Sequence, residues 1–170
     1  LWGLGGQSVT VLLPKWRAYV SDPNHARQAF SNQRRVVKLF CCKNPPAPGA
    51  SLVLKCPQDT MHVGIFADVF PEARIVLLHR DPFRAFDSGF HLFKLLCHAF
   101  DAKNVSTAVL VDQLLDTFLK TGSAMMEFAM ERPHRIISVH YENILDDPVR
   151  EVSRLLHQSG IAVDFETVSK

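Results

Sequence analysis

Three short apolar runs in this chain end in a group able to bind an anion or a ring. Lys55 follows Leu52-Val53-Leu54, Arg80 follows Ile75 to His79, and Tyr141 follows Ile136 to His140. If the runs are parallel strands of an open α/β sheet, their carboxyl ends share one edge, where such sheets bind ligands. Two cations and an aromatic ring on that edge describe a site for an anionic, ring-bearing ligand. A nucleotide phosphate with a stacked base fits. Arg80 offers a planar fork matched to phosphate, and Ser88 adds a hydroxyl donor. Ser88 lies roughly 9 Å of helical rise beyond Pro82, so a phosphate on the flank of that helix is within reach of both residues. Asp81 at the helix cap repels an anion seated on the helix end, which moves the expected position to the flank. The competing reading of Arg80 is an ion pair with Asp81 or another carboxylate.

The elements that must hold these groups are signalled by spacing and by Asp-Pro pairs. Asp22-Pro23, Asp81-Pro82 and Asp147-Pro148 each combine a capping carboxylate with a proline suited to the first helical turn. After Asp22 a helical stripe runs through Ala26, Phe30, Val37 and Phe40, with Arg34, Arg35 and Lys38 read as a solvated face. Leu52-Val53-Leu54 is expected as a first strand and Asp59 to Phe70 as a helix, giving a β-α-β unit with the second strand, Arg74 to His79. The unbroken Ile75–Leu78 run predicts a strand buried on both faces. Phe83, Phe86, Phe90, Phe93, Cys97 and Phe100 form one stripe at helical spacing and are read as core packing. Val105 to about Met130 reads as a longer helix, and Arg135 to Tyr141 as a third strand. Val149, Val152, Leu155 and Leu156 give the next helix its face, and Gly160 ends it. Residues 1–22 form a poorly patterned lead-in. Gly3, Gly5 and Gly6 lack the preceding strand and the cation of a phosphate cradle. Asp164 to Lys170 looks like a helix cut short.

The bulk numbers exclude several classes. The 170 residues suffice for one domain with a real core, and 47% hydrophobic with 21% charged is ordinary for a globular protein. A net charge of +2 carries no case for nucleic acid. No apolar run reaches membrane-spanning length. Cys41, Cys42, Cys56 and Cys97 contain no C-x-x-C pair and are read as buried or free thiols in a reducing compartment, over a disulfide or zinc site. No H-x-x-x-H spacing supports a metal site. Localisation leans to the cytoplasm, with the Golgi lumen the alternative if an anchor lies upstream.

Three blocks in order carry a family resemblance. They are Leu52-Val-Leu-Lys-Cys-Pro-Gln-Asp, then Phe70-Pro-Glu-Ala-Arg-Ile-Val-Leu-Leu-His-Arg-Asp-Pro with Ser88, then Val139-His-Tyr-Glu-Asn-Ile-Leu-Asp-Asp-Pro. Together they resemble the sulfotransferases that use 3'-phosphoadenosine 5'-phosphosulfate (PAPS), in the branch with "K-S-P-x-H" and "H-R-D-P…S" motifs. Trp16, Tyr19 and the Asp22-Pro23 helix also look like the segment before the first block, so the resemblance covers roughly residues 14–168. It implies a three-layer, P-loop-NTPase-like α/β fold with a short parallel sheet flanked by helices. The expected unit is a single domain over 1–170, incomplete at both ends and lacking the family's "R-S-G-T-T" 5'-phosphosulfate loop.

The resemblance also implies roles. Arg80 and Ser88 match the residues gripping the cofactor's 3'-phosphate, and Tyr141 matches the tyrosine near the adenine. Lys55 matches the lysine facing the transferring sulfonate. The products would be 3',5'-adenosine bisphosphate and a sulfonated hydroxyl or amine acceptor. The motif histidine is replaced by Asp59, so the general base is Asp59 or His62, one turn further on. The bland reading of that pair is a helix-start carboxylate and a surface histidine. The rival functions are a nucleotide-binding or interaction module derived from a sulfotransferase, and a kinase of related P-loop fold. This piece alone is expected to be inactive.

Overall fold

Apolar periodicity and capping decide the helices. The computed structural model describes residues 14–99 and 105–161. Helix α1, Pro14–Ser21, leads directly into α2, Pro23–Lys43. Asp22 separates them and caps α2, its carboxylate accepting from the Asn24 amide at 2.7 Å and the His25 amide at 3.4 Å. The rings of Trp16, Tyr19 and His25 stack in sequence across this corner. Residues 14–21 are therefore an ordered helix, not part of a poorly structured lead-in. Gly3, Gly5 and Gly6, Phe100 and the Asp164–Lys170 segment lie outside the described residues.

The expected strand at Leu52–Leu54 does not form. All three side chains are exposed, Val53 at 77%, and the segment pairs with no strand among the described residues. The physical reason is that an isolated extended tripeptide has no ladder to complete, so apolar β-formers alone do not hold it. Lys55 thus follows irregular backbone rather than a strand end. A 3₁₀ segment, Pro57–His62, and α3, Val63–Val69, come next.

The sheet consists of β1, Ile75–His79, and β2, Ile136–His140, paired in parallel with Ile75 opposite Ile136 and His79 opposite His140. Between them run α4, Pro82–Ala99, and α5, Thr107–Glu131, the latter capped by Ser106 accepting from the Val109 amide. The chain closes with α6, Tyr141–Asp146, and α7, Pro148–Gln158. Parallel pairing with helices in the connection is the α/β arrangement the spacing predicts.

Helix α5 organises the core. Its Leu110 and Leu114 pack with Phe93 and Cys97 of α4, joined by Phe86 and Phe90. Its Met125 and Phe128 pack with Val63 and Ala67 of α3 beneath Ile75, Leu77 and Ile136. A third cluster joins Ala26 and Phe30 of α2 to Phe70. Two expectations fail here. Burial along β1 alternates, with Val76 and Leu78 exposed, because the described helices cover only the face carrying Ile75 and Leu77. Phe83, first in the aromatic stripe, is also exposed, since α5 reaches only the later members.

Candidate functional site

Because β1 and β2 run parallel and in register, Arg80 and Tyr141 leave the sheet at the same carboxyl end. The structure brings them together: the Arg80 guanidinium carbon lies 4.8 Å from the centroid of the Tyr141 ring. One residue earlier, the rings of His79 and His140 stack at 5.0 Å. The cation–π contact is worth about 0.5–1 kcal/mol at an exposed site and holds the guanidinium by its face, leaving its N–H edge free to donate.

Asp81 does not neutralise Arg80. Its Oδ1 accepts from the Arg84 backbone amide at 2.8 Å, which is the capping bond of α4. Arg80 has no ion-pair partner among the described residues, so the competing ion-pair reading finds no partner there. Glu142 stands close by, its Oε1 accepting from the Asp81 amide at 3.4 Å. Two carboxylates thus crowd the start of α4 and oppose an anion on the helix end. The flank is different. Ser88 sits exposed on α4 with no hydrogen-bond partner among the described residues, two turns along from Pro82.

The other candidates lie apart from this corner. Lys55 is exposed and makes no ion pair among the described residues. Among the described residues, no hydrogen bond, ion pair or ring contact joins it to Arg80 or Tyr141. Asp59 sits half-buried in the 3₁₀ segment. Burial pushes its carboxyl above the ordinary aspartate range, against the Cys56 thiol hydrogen bond and the nearby His62, which pull it down. Such a carboxyl is a better base than a solvated one. His62 is engaged: its Nε2 lies 2.9 Å from the Val20 carbonyl oxygen. A carbonyl only accepts, so Nε2 is the donor and Nδ1 alone remains available. The ring ties the 3₁₀ segment to the end of α1.

What positions Arg80 is a set of arginines, from both before and after it in the chain, that anchor the approach to β1. Arg135 donates to the Phe70 carbonyl at 3.0 Å and to the Ala73 carbonyl at 2.6 and 2.9 Å. Arg34 donates to the Val69 carbonyl and pairs with Glu72. Asp68 accepts from Arg27 and Arg132, which holds its carboxyl below the ordinary range through the Arg132 hydrogen bond first. Together they pin the turn that feeds β1. Sequence reasoning missed Arg135 and assigned Arg34 to a solvated face; a cation just before a strand was the available signal. Among the described residues, no group of histidine, cysteine and acidic side chains could hold a metal, and none of the four cysteines is in a disulfide.

Two relatives, from Mycobacterium bovis and Mycobacterium tuberculosis, are each named omega-hydroxy-beta-dihydromenaquinone-9 sulfotransferase Stf3. Each is 26% identical to this chain over 117 residues, covering 68% of the chain and 30% of the relative. The chain therefore matches less than a third of those proteins' length. No solved structure matches it significantly. The profile of the Sulfotransferase family matches residues 10–165, nearly the whole sequence and both strand ends, and the chain belongs to that family.

Proposed function

We propose that the protein carrying this chain transfers sulfonate from PAPS to a hydroxyl group, with the Arg80 corner holding the donor's 3'-phosphate. The observation that carries this reading is Arg80 itself: exposed, without a carboxylate partner among the described residues, and laid on Tyr141 at the carboxyl end of the sheet. The residues present fit the group. Arg80 supplies a guanidinium edge, Ser88 a hydroxyl on the helix flank, and Tyr141 an aromatic face beside which an adenine can lie. The carboxylates of Asp81 and Glu142 steer the phosphate away from the helix end and toward Ser88.

Bound PAPS supplies a sulfonate on a good leaving phosphate, and the protein's part is positioning and charge. Lys55 is the cation assigned to the charge that develops as the sulfur–oxygen bond breaks. Asp59, raised by burial, is assigned to accept the acceptor's proton, and the Cys56 thiol orients its carboxylate. A hydroxyl acceptor is preferred over an amine because the named substrate of both relatives is an omega-hydroxy compound.

Calorimetric titration with 3',5'-adenosine bisphosphate tests the corner. Arg80→Ala is expected to weaken binding by about 10-fold or more, the loss of a charged hydrogen-bonding partner of phosphate. Ser88→Ala is expected to cost less. Equal affinity in Arg80→Ala and the parent would overturn the assignment.

A further inference from the structure

From Pro23 to Gln58 the chain contains no Asp or Glu, yet it carries Arg27, Arg34, Arg35, Lys38, Lys43 and Lys55. All 17 acidic residues lie elsewhere. Arg27 and Arg34 are neutralised across the fold by Asp68 and Glu72. Arg35, Lys38 and Lys43 are exposed and make no ion pair or hydrogen bond among the described residues. They border an apolar strip on the same half of α2: Val36, Leu39 and Phe40 are 63%, 70% and 62% exposed.

The helix geometry places these groups together. Phe30 marks the buried side of α2. At 3.6 residues per turn Leu39 falls about 180° from Phe30, at the outer pole. Arg35 lies about 40° to one side of Leu39. Lys43 and Val36 lie about 40° and 60° to the other side, with Phe40 beyond. The outer face of the second half of α2 therefore carries an apolar strip from Leu39 through Val36 to Phe40, with Arg35 and Lys38 along one margin and Lys43 one turn beyond Leu39. A face covered by ordinary solvent does not need three large apolar side chains at i, i+3 and i+4, and the described fold packs nothing over them.

We propose that the outer face of α2, over Arg35 to Lys43, docks the protein peripherally on an anionic lipid bilayer. Leu39, Phe40 and Val36 enter the headgroup–acyl boundary. Arg35, Lys38 and Lys43 remain at the headgroup level, their long aliphatic stems lying along the apolar strip. Charge complementarity selects this occupant. The face is positive without a single compensating carboxylate in its own segment. No described helix is long and apolar enough to cross a membrane, and α2 needs only to lie in the interface plane. The inference is independent of the nucleotide corner, which lies on other elements.

Vesicle co-sedimentation of the full chain tests it. Phosphatidylserine–phosphatidylcholine vesicles are compared with phosphatidylcholine alone. The parent protein is expected in the pellet with the anionic vesicles and in the supernatant with the neutral ones, and added salt should release it. Two double variants separate the contributions: Leu39→Ser with Phe40→Ser, and Arg35→Glu with Lys38→Glu. Each is expected to weaken binding to anionic vesicles at least about 10-fold. All four side chains are exposed, so the helical signal and unfolding midpoint should stay within a few degrees of the parent, which separates lost docking from lost folding. Parent protein that ignores anionic vesicles overturns the proposal, as do variants that bind like the parent. So does a parent that self-associates through this face, read as a dimer that the serine variant converts to monomer while neither binds lipid.

Discussion

Two segments of this chain are written in nearly the same terms and fold differently. Leu52-Val-Leu-Lys-Cys-Pro-Gln-Asp and Ile75-Val-Leu-Leu-His-Arg-Asp-Pro each run from an apolar stretch through a cation to a proline and an aspartate. The second becomes a strand and a capped helix. In the first, the apolar run stays irregular and exposed, and only the tail from Pro57 enters a 3₁₀ segment. The difference is not propensity, since both are rich in β-formers. It is the partner: Ile75 to His79 lies against Ile136 to His140, on a floor made by Val63, Ala67, Met125 and Phe128. Leu52 to Leu54 has neither ladder nor floor among the described residues. A strand end can aim a side chain only if the strand exists, which is why Arg80 has a defined neighbour and Lys55 has no ion-pair or ring partner among the described residues.

The largest test of this contrast removes the floor. Phe128→Ala is expected to destabilise the protein by about 3–5 kcal/mol, the usual cost of emptying a buried aromatic site. Val53→Ala, made in the matching apolar run, is expected to stay within about 0.5 kcal/mol. Urea unfolding followed by circular dichroism measures both. If Val53→Ala costs as much as Phe128→Ala, the first run is buried in the working protein and the contrast collapses. Next in size is Arg135→Ala. It strips the donors from the Phe70 and Ala73 carbonyls and is expected to cost about 2 kcal/mol. Because the same turn feeds β1, the variant should also weaken bisphosphate binding, whereas a purely local surface role would leave affinity untouched.

Smaller effects sharpen the helix start. Asp81→Ala loses the bond to the Arg84 amide and is expected to cost about 1 kcal/mol. It also removes a carboxylate beside Arg80, so affinity for the bisphosphate should rise or hold even as stability falls. A loss of both together would mean that the cap's order matters more than its charge.

Much of this corner was readable from residue types. The Asp-Pro devices at Asp22, Asp81 and Asp147 each became a cap with a side-chain bond to a backbone amide, because capping is a local interaction between residues two or three apart. The stripe from Phe86 to Cys97 packed as its spacing predicts. Apart from the helix missed at Pro14–Ser21, the failures are non-local. Whether Leu52–Leu54 pairs, whether Val76 and Leu78 are covered, and whether Phe83 finds α5 depend on elements far along the chain. Nothing in the local pattern reports them. Arg34 and Arg135 were invisible for the same reason: their partners are backbone carbonyls 35 and 62 or 65 residues away. The Arg80–Tyr141 contact was half readable. Matched strand ends put both residues on one edge, but the stacking of one upon the other needed the register.

The finest test turns on acidity, where the two segments have opposite signatures. Asp59, beside the first run, is raised by burial. Asp68, in the network that steadies the second, is lowered by its hydrogen bond from Arg132 and then that from Arg27. For a lowered carboxyl the unfolded chain holds the proton longer. Asp68 therefore adds stability above the ordinary aspartate value near 3.8, and that stability is lost as pH falls through its folded value. For a raised carboxyl the folded chain holds the proton longer. Asp59 makes stability fall as pH rises from near 3.8 through its own higher folded value. Unfolding midpoints measured from acid to neutral pH should therefore climb and then sag. Asp68→Asn should flatten the climb, and Asp59→Asn should remove the sag while leaving the acid limb in place. The general-base assignment rests on the same burial, so Asp59→Asn should also abolish sulfonate transfer without changing bisphosphate affinity. An Asp59→Asn profile that superimposes on the parent's would show the carboxyl to be solvated, and would withdraw both its stability cost and its claim as the base.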